Sequence, residues 1–167
     1  MISDRWHQSQ RGYFAGALLE EMKTDKGIYV LTGDLGYGMW DKVRDNFSDR
    51  FINVGASEQS LLDISVGLAM EGKKPFAFSI TPFLIYRGFE TIRDYINHEN
   101  IPVRLVGSGR DDDYKHDGFS HNAGDVKGFL DQFSNIKQFW PEQKEYISSI
   151  VQDMVENNRP SFISLRR

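Results

Sequence analysis

Six short apolar runs, separated by stretches of helical spacing, constrain this chain most. They are Ile28–Thr32, Phe51–Val54, Pro75–Ile80, Pro102–Val106, Ile136–Phe139 and Pro160–Leu165. Short apolar runs with little polar alternation are what strands buried on both faces look like. Between them, 11–24, 39–47, 57–71, 83–98, 124–133 and 142–157 carry apolar residues at or near helical spacing. Gly72 stands where a helix C-terminus is expected, and Pro82 predicts an irregular start to the fourth stretch. In the last stretch Tyr146, Ile147, Ile150, Val151 and Met154 are expected on one face. Strands alternating with helices imply an α/β fold: a three-layer α/β/α arrangement around a six-stranded, mainly parallel sheet, as one domain over 1–167.

Composition narrows the function. The chain has 167 residues, a formal net charge of −4 and no cysteine. The charge gives no electrostatic case for nucleic acid or an anionic membrane, and disulfides and thiolate metal sites are excluded. No apolar run approaches the ~20 residues that span a bilayer. The polar N-terminal stretch lacks the apolar core of a signal peptide, so a cytoplasmic location is expected.

In a parallel α/β sheet, ligands collect beyond the carboxyl ends of the strands. That gathers Asp34, Glu58, the 81–83 turn, the 107–121 loop and Arg167 into one region. Glu58 follows Gly55-Ala56-Ser57 and opens a helix, with Ser57 as expected N-cap. On pattern alone it complements the helix dipole, an effect of ~0.3–1 kcal/mol. A chemical role requires it to face a cleft, where burial disfavours the charged carboxylate and the helix N-terminus favours it. Sequence leaves that balance open. Ala56, Gly67 and Ala69 are expected to allow close helix packing. Gly33–Gly38 is glycine-rich but lacks the Lys-Ser/Thr of a phosphate-cradling loop, which leaves a turn capped by Asp34 or a ligand contact. The polar 108–121 loop has the length of a functional loop. Its Asp111–Asp113 run reads as a solvated charge cluster, and its His116 and His121 fit no metal motif.

Taken together, GDLGYG (33–38), RFINVGASEQSLLDISVGLAMEGKKPFAFSITPFL (50–84), RGFETIR (87–93), IPVRLVGSG (101–109), DGFSH (117–121) and RPSFISLRR (159–167) resemble the pyrimidine-binding domain of transketolase-type, thiamine diphosphate-dependent enzymes. The resemblance implies the thiamine diphosphate-binding fold of pyrimidine-domain type. It implies that Glu58 bonds the cofactor's aminopyrimidine nitrogen and promotes the imino tautomer, which deprotonates the thiazolium carbon. Phe83 would stack on that ring, with Asp34 and Arg87 near the cofactor. Arg87 could equally make a surface ion pair with Glu90 or Glu71. Asp117 and His121 would orient substrate hydroxyls, with His121 assisting proton transfer. Arg110 and Arg167 would bind a sugar phosphate.

The departures are as telling. The family's diphosphate-binding GDG motif is absent and Gly38 replaces a phosphate-contacting serine. The expected assembly pairs this chain with a separate diphosphate-binding subunit, as an α2β2 heterotetramer. The partner would hold the diphosphate and Mg2+ or Ca2+, and this chain would supply no metal ligand. Met39, Trp40 and Phe119 are the expected seam residues. The implied activity is transfer or cleavage of a two-carbon ketol unit of a sugar or sugar phosphate. The alternatives are an α-keto-acid decarboxylase, a 1-deoxyxylulose-phosphate-synthase-like subunit, or a non-catalytic binding module.

Overall fold

Every apolar run forms a strand: β1 (Ile28–Thr32), β2 (Phe51–Asn53), β3 (Lys74–Ile80), β4 (Arg104–Ser108), β5 (Lys137–Phe139) and β6 (Ser161–Leu165). They are seen in a computed structural model that describes residues 8–167. Residues 1–7 of the polar N-terminus on which the leader argument rests therefore lie outside the described residues. The strands form one sheet in the order β2-β1-β3-β4-β6-β5. Every neighbouring pair is parallel, with Val30 opposite Phe51 and Phe76, and Val106 opposite Phe78 and Ile163. Both edge strands are three residues long, which limits the open hydrogen-bonding edge.

Side chains alternate across this sheet and fill two cores. Val30, Phe76, Phe78, Val106 and Ile163 face helices α1 (Gln10–Thr24) and α6 (Ile147–Glu156), meeting Phe14, Leu18, Met22 and Val151. Leu31, Ala77, Leu105 and Phe162 face the other way, onto Leu61, Leu62 and Val66 of α3 (Glu58–Met70) and Leu130 of α5 (Val126–Leu130). With helices on both faces, each strand needs apolar residues at consecutive positions, which is why its sequence reads as an unbroken run.

Two buried arginines tie helix ends to the sheet. Arg50 donates to the Met22 and Asp25 carbonyls where α1 ends, at 3.0 and 2.9 Å. Arg104 donates to Met154 O and Asn157 O where α6 ends, both at 3.0 Å. A cation there meets unsatisfied carbonyls and the negative end of the helix dipole. Burial draws the Arg104 guanidinium down to about 10, against the opposing pull of Asp25.

Several local expectations are corrected. Residues 83–98 are not a plain α-helix: wider π turns at Phe83–Arg87 and Ile92–His98 flank the short α4 (Phe89–Thr91). Met39 and Trp40 are buried in the core beside α2 (Asp41–Asn46), so of the three expected seam residues only Phe119 is exposed. A 3-10 turn over Lys144–Tyr146 precedes α6 and turns Tyr146 to solvent. Ser57 precedes α3 without a side-chain capping bond, and its hydroxyl donates to Ser60 Oγ at 2.9 Å. The close helix approach comes from Gly88, where a Cβ would lie 2.1 Å from Leu62 Cδ1, and not from Gly67, which faces open space.

Candidate active site

The chain leaves β1 for β2 on one side of the sheet and returns to β3 on the other. The strand order therefore reverses between β1 and β3, and a crevice opens beyond their carboxyl ends. Gly33 ends β1, and a Cβ there would lie 3.6 Å from Gly55 O, 3.7 Å from Ser79 Oγ and 3.8 Å from Glu58 Oε1. Three chain segments, the ends of β1 and β3 and the β2–α3 junction, thus meet around one carboxylate.

Glu58 is 3% exposed. Its Oε1 accepts from Ser79 Oγ at 3.0 Å and its Oε2 from Arg87 Nη1 at 2.8 Å. A buried carboxylate is costly unless paired and hydrogen-bonded, and here it is both. Arg87 therefore pairs with Glu58, in place of Glu90 or Glu71. Its guanidinium carbon also lies 3.7 Å from the Phe83 ring centroid. The π turn brings these two residues, four apart in sequence, onto one side of the segment; such turns recur at functional sites. His121 completes the group: its ring meets Phe83 edge-on at 4.7 Å, and its Nδ1 is 3.1 Å from Ser120 Oγ. Glu58, Phe83, Arg87 and His121, all expected at the site, are thus brought together.

The other expected residues stand apart from this group. Asp34 is exposed on the same strand-end face, in a left-handed conformation (φ 60°). Its carboxylate accepts from Asn53 Nδ2 at 3.0 Å and Tyr37 Oη at 2.7 Å. These bonds, Asn53's first, hold the Asp34 carboxyl below the usual carboxylate range. Asp117 is exposed in a 3-10 turn of the same loop as His121. Arg167 is exposed, with its guanidinium 5.2 Å from the Tyr114 ring. Arg110 corrects the expectation of a free phosphate-binding fork. It is 4% exposed, and its guanidinium donates to Ser164 Oγ, Ser164 O, Pro141 O and Glu142 Oε1. Burial, and then Arg166, weaken its hold on the proton, while Glu142, Asp111 and Asp113 oppose them. In the neighbouring acidic run Asp111 and Asp112 are exposed, as a solvated cluster should be, and Asp113 is structural: its Oδ2 accepts from the backbone N–H of Arg110 and Arg167, both at 3.0 Å. Among the described residues, no group of three or more His, Asp or Glu side chains is placed to hold a metal ion.

Sequence reasoning missed Ser79 and Arg11. Ser79 is the one hydroxyl in the buried run of β3, a polar atom in an apolar strand that must find a partner. Arg11 donates to Tyr114 Oη at 3.0 Å, and Tyr114 Oη in turn bonds Ser108 Oγ at 3.0 Å. These three line a second pocket of about 270 Å³ with Leu35, Tyr37 and Ile80. Arg11 lies in the first turn of α1, and nothing in the local pattern points to a contact with residue 114.

Comparison with known proteins decides the family. The model of the transketolase pyrimidine-binding domain matches residues 7–167. The chain belongs to that family. A transketolase C-terminal section of Methanocaldococcus jannaschii is 25% identical over 162 residues, covering 96% of this chain and 51% of the relative. One of the subunits of an apulose-4-phosphate transketolase from Actinobacillus succinogenes is 32% identical over 119 residues, covering 71% of this chain and 38% of the relative. This pyrimidine-binding domain thus spans about half or less of the curated relatives it matches. Among solved structures, a split-gene transketolase described as an inactive beta4 tetramer superposes with a TM-score of 0.84 at 28% identity, covering 95% of this chain and 51% of that one. The six-stranded parallel sheet with flanking helices is the transketolase pyrimidine-domain fold.

A transketolase pyrimidine domain implies thiamine diphosphate, and the residues present fit its pyrimidine half. Phe83 offers a flat face, and a planar group lying on it, the Arg87 guanidinium, reaches one oxygen of Glu58 while Ser79 holds the other. A planar ring bearing N–H donors is what such a slot accepts. No helix among the described residues is long and apolar enough to cross a membrane.

Proposed function

We propose that this chain is the pyrimidine-half subunit of a split, thiamine diphosphate-dependent transketolase-like enzyme. It transfers a two-carbon ketol unit of a sugar or sugar phosphate, in the cytoplasm. It works only beside a separate diphosphate-binding subunit, in an α2β2 assembly, and that partner holds the diphosphate with Mg2+ or Ca2+. The reading is carried by Glu58, a buried carboxylate at the β1/β3 switch point, held by a serine and by an arginine that lies on an aromatic face. Folding alone gives no reason to bury a carboxylate there, since a helix start gains as much from an exposed one.

Thiamine diphosphate, when bound, supplies the carbanion chemistry. Phe83 binds and orients the flat ring. Glu58 holds the proton at the ring nitrogen, in a setting that excludes water. His121, against the edge of Phe83, moves a proton at a substrate hydroxyl, and Asp117 helps orient the substrate. Arg167, exposed at the same end of the sheet, offers a cation to a sugar phosphate. Arg110 has no such role, because its donors are engaged internally.

The test is reconstitution with a diphosphate-domain subunit. The complex should transfer a ketol unit, and Glu58→Gln should lower the rate by about 10²–10⁴-fold while the chain still folds and assembles. Undiminished turnover in the Glu58→Gln complex rejects the reading. Carbon dioxide released from an α-keto acid, without ketol transfer, assigns the decarboxylating alternative.

A further inference from the structure

One side chain stands where a ligand ring is expected. The Arg87 guanidinium lies on the Phe83 ring, 3.7 Å from carbon to centroid, and donates to the buried Glu58 at 2.8 Å. A guanidinium and an aminopyrimidine edge share a motif, a planar N–C–N unit with N–H donors in the plane and a π face above it. The slot therefore holds, from within the chain, a flat N–H-bearing group shaped like an edge of the ligand it is proposed to take.

We propose that Arg87 is an internal place-holder: its guanidinium fills the Phe83–Glu58 slot in the free chain and swings out when an aminopyrimidine ring enters. The proposal rests on the slot being the pyrimidine site.

Three observations support side-chain exchange over rigid occupancy. First, the pair is asymmetric: Glu58 is 3% exposed and the Arg87 side chain 49%. The carboxylate is fixed and dry, while the arginine already reaches water. Second, release needs only side-chain torsions: the Glu58 pair and the Phe83 contact are both made by the Arg87 guanidinium, at the end of a long flexible stem. Third, an outward-turned Arg87 has a new partner in reach, because Glu90 is exposed three residues along the same segment. While the slot is empty of ligand, Arg87 supplies the cation that a dry carboxylate needs. It also covers the aromatic face that would otherwise meet water.

A place-holder lowers apparent affinity by the fraction of chains whose slot is open. Removing it should tighten ring binding, the opposite of what removal of a binding residue does. The experiment uses the full chain and 4-amino-5-hydroxymethyl-2-methylpyrimidine as probe, with thiamine diphosphate as a second probe. Binding is followed by NMR of the arginine Nε–Hε signals. In the wild type, the Arg87 signal should start ring-shielded by Phe83 and move to a solvent-like position as the probe binds. Arg87→Met should bind the probe about tenfold more tightly than the wild type. Arg87→Lys, which keeps charge and stem but loses the planar fork, should fall between and carries the test if the methionine variant does not fold. Glu58→Gln should abolish binding in either background. Equal or weaker binding to both Arg87 variants, or an Arg87 signal that stays shielded with probe bound, overturns the place-holder and leaves the slot reading intact. Failure of both probes to bind every variant, in the full chain and in its complex with the diphosphate-binding subunit, overturns the slot reading and the place-holder together.

Discussion

Two parts of the molecule are built from the same three residue types and behave in opposite ways. At the switch-point crevice, Arg87 and Ser79 hold Glu58. Near the C-terminal strand, Arg110 is held by Ser164 and Glu142. In the first trio the buried member is the carboxylate, 3% exposed, and the arginine is half in water. In the second the buried member is the arginine, 4% exposed, and the glutamate side chain is 73% exposed. Arg110 also meets two backbone carbonyls, Pro141 O at 2.9 Å and Ser164 O at 2.6 Å. Those acceptors belong to the chain itself and cannot be exchanged for a ligand. Glu58 takes its cation from one movable side chain. The same ion-pair chemistry is therefore a fixed joint in one place and a replaceable contact in the other, and which member is buried decides.

That contrast breaks first at Arg110. Arg110→Met leaves buried carbonyls without donors and should destabilise the chain by about 3 kcal/mol or more in urea unfolding. A loss below ~1 kcal/mol would mean that Arg110 is not a joint. Gly88→Ala should cost about 1–3 kcal/mol, because the new Cβ overlaps Leu62, and it should displace the Arg87 guanidinium from Phe83, seen as loss of ring shielding. Arg87→Met should cost only about 1 kcal/mol, since its side chain is 49% exposed and the pair is partly screened. Glu142→Gln, on the exposed side of the other trio, should change stability by less than about 0.5 kcal/mol. If Arg87→Met and Arg110→Met have equal effects, the distinction between joint and replaceable contact is lost.

The smallest effect is a titration on the strand-end face. The Asp34 carboxyl is held below its ordinary value of 3.8 by bonds from Asn53 and Tyr37. Its folded state binds the proton less readily than the unfolded chain does. The contribution is thus present above 3.8 and lost as pH falls through the lower folded value. Asn53→Ala should move the Asp34 midpoint up toward 3.8, read from its carboxyl carbon shift. An unmoved midpoint would show that Asn53 is not the main cause.

The strands, the layer arrangement and the end of the sheet that carries the site were legible because they follow from local periodicity and a general rule of parallel sheets. Strand bounds shifted by no more than two residues, as in Pro102–Val106 against Arg104–Ser108. The irregular 83–98 stretch was legible only as an odd start at Pro82, because a π turn depends on what packs against it. Glu58 read locally as a helix-dipole residue, and the resemblance along the whole chain turned it into a site candidate. Its burial depends on Ser79 and Arg87, 21 and 29 residues away. Met39 and Trp40 read as seam residues and proved to be core, since an apolar side chain looks the same in sequence whether it faces a partner or its own sheet.

By itself, then, the sequence determined the fold class, the family resemblance and the set of polar residues at the strand ends, because periodicity and motif spacing are local properties of a chain. Only the tertiary structure decided which arginine is half in water and which is buried. Charge, reach and donor geometry are identical for Arg87 and Arg110. What separates them is the solvent around each and the kind of acceptor each finds, and both are set by segments far away in the chain.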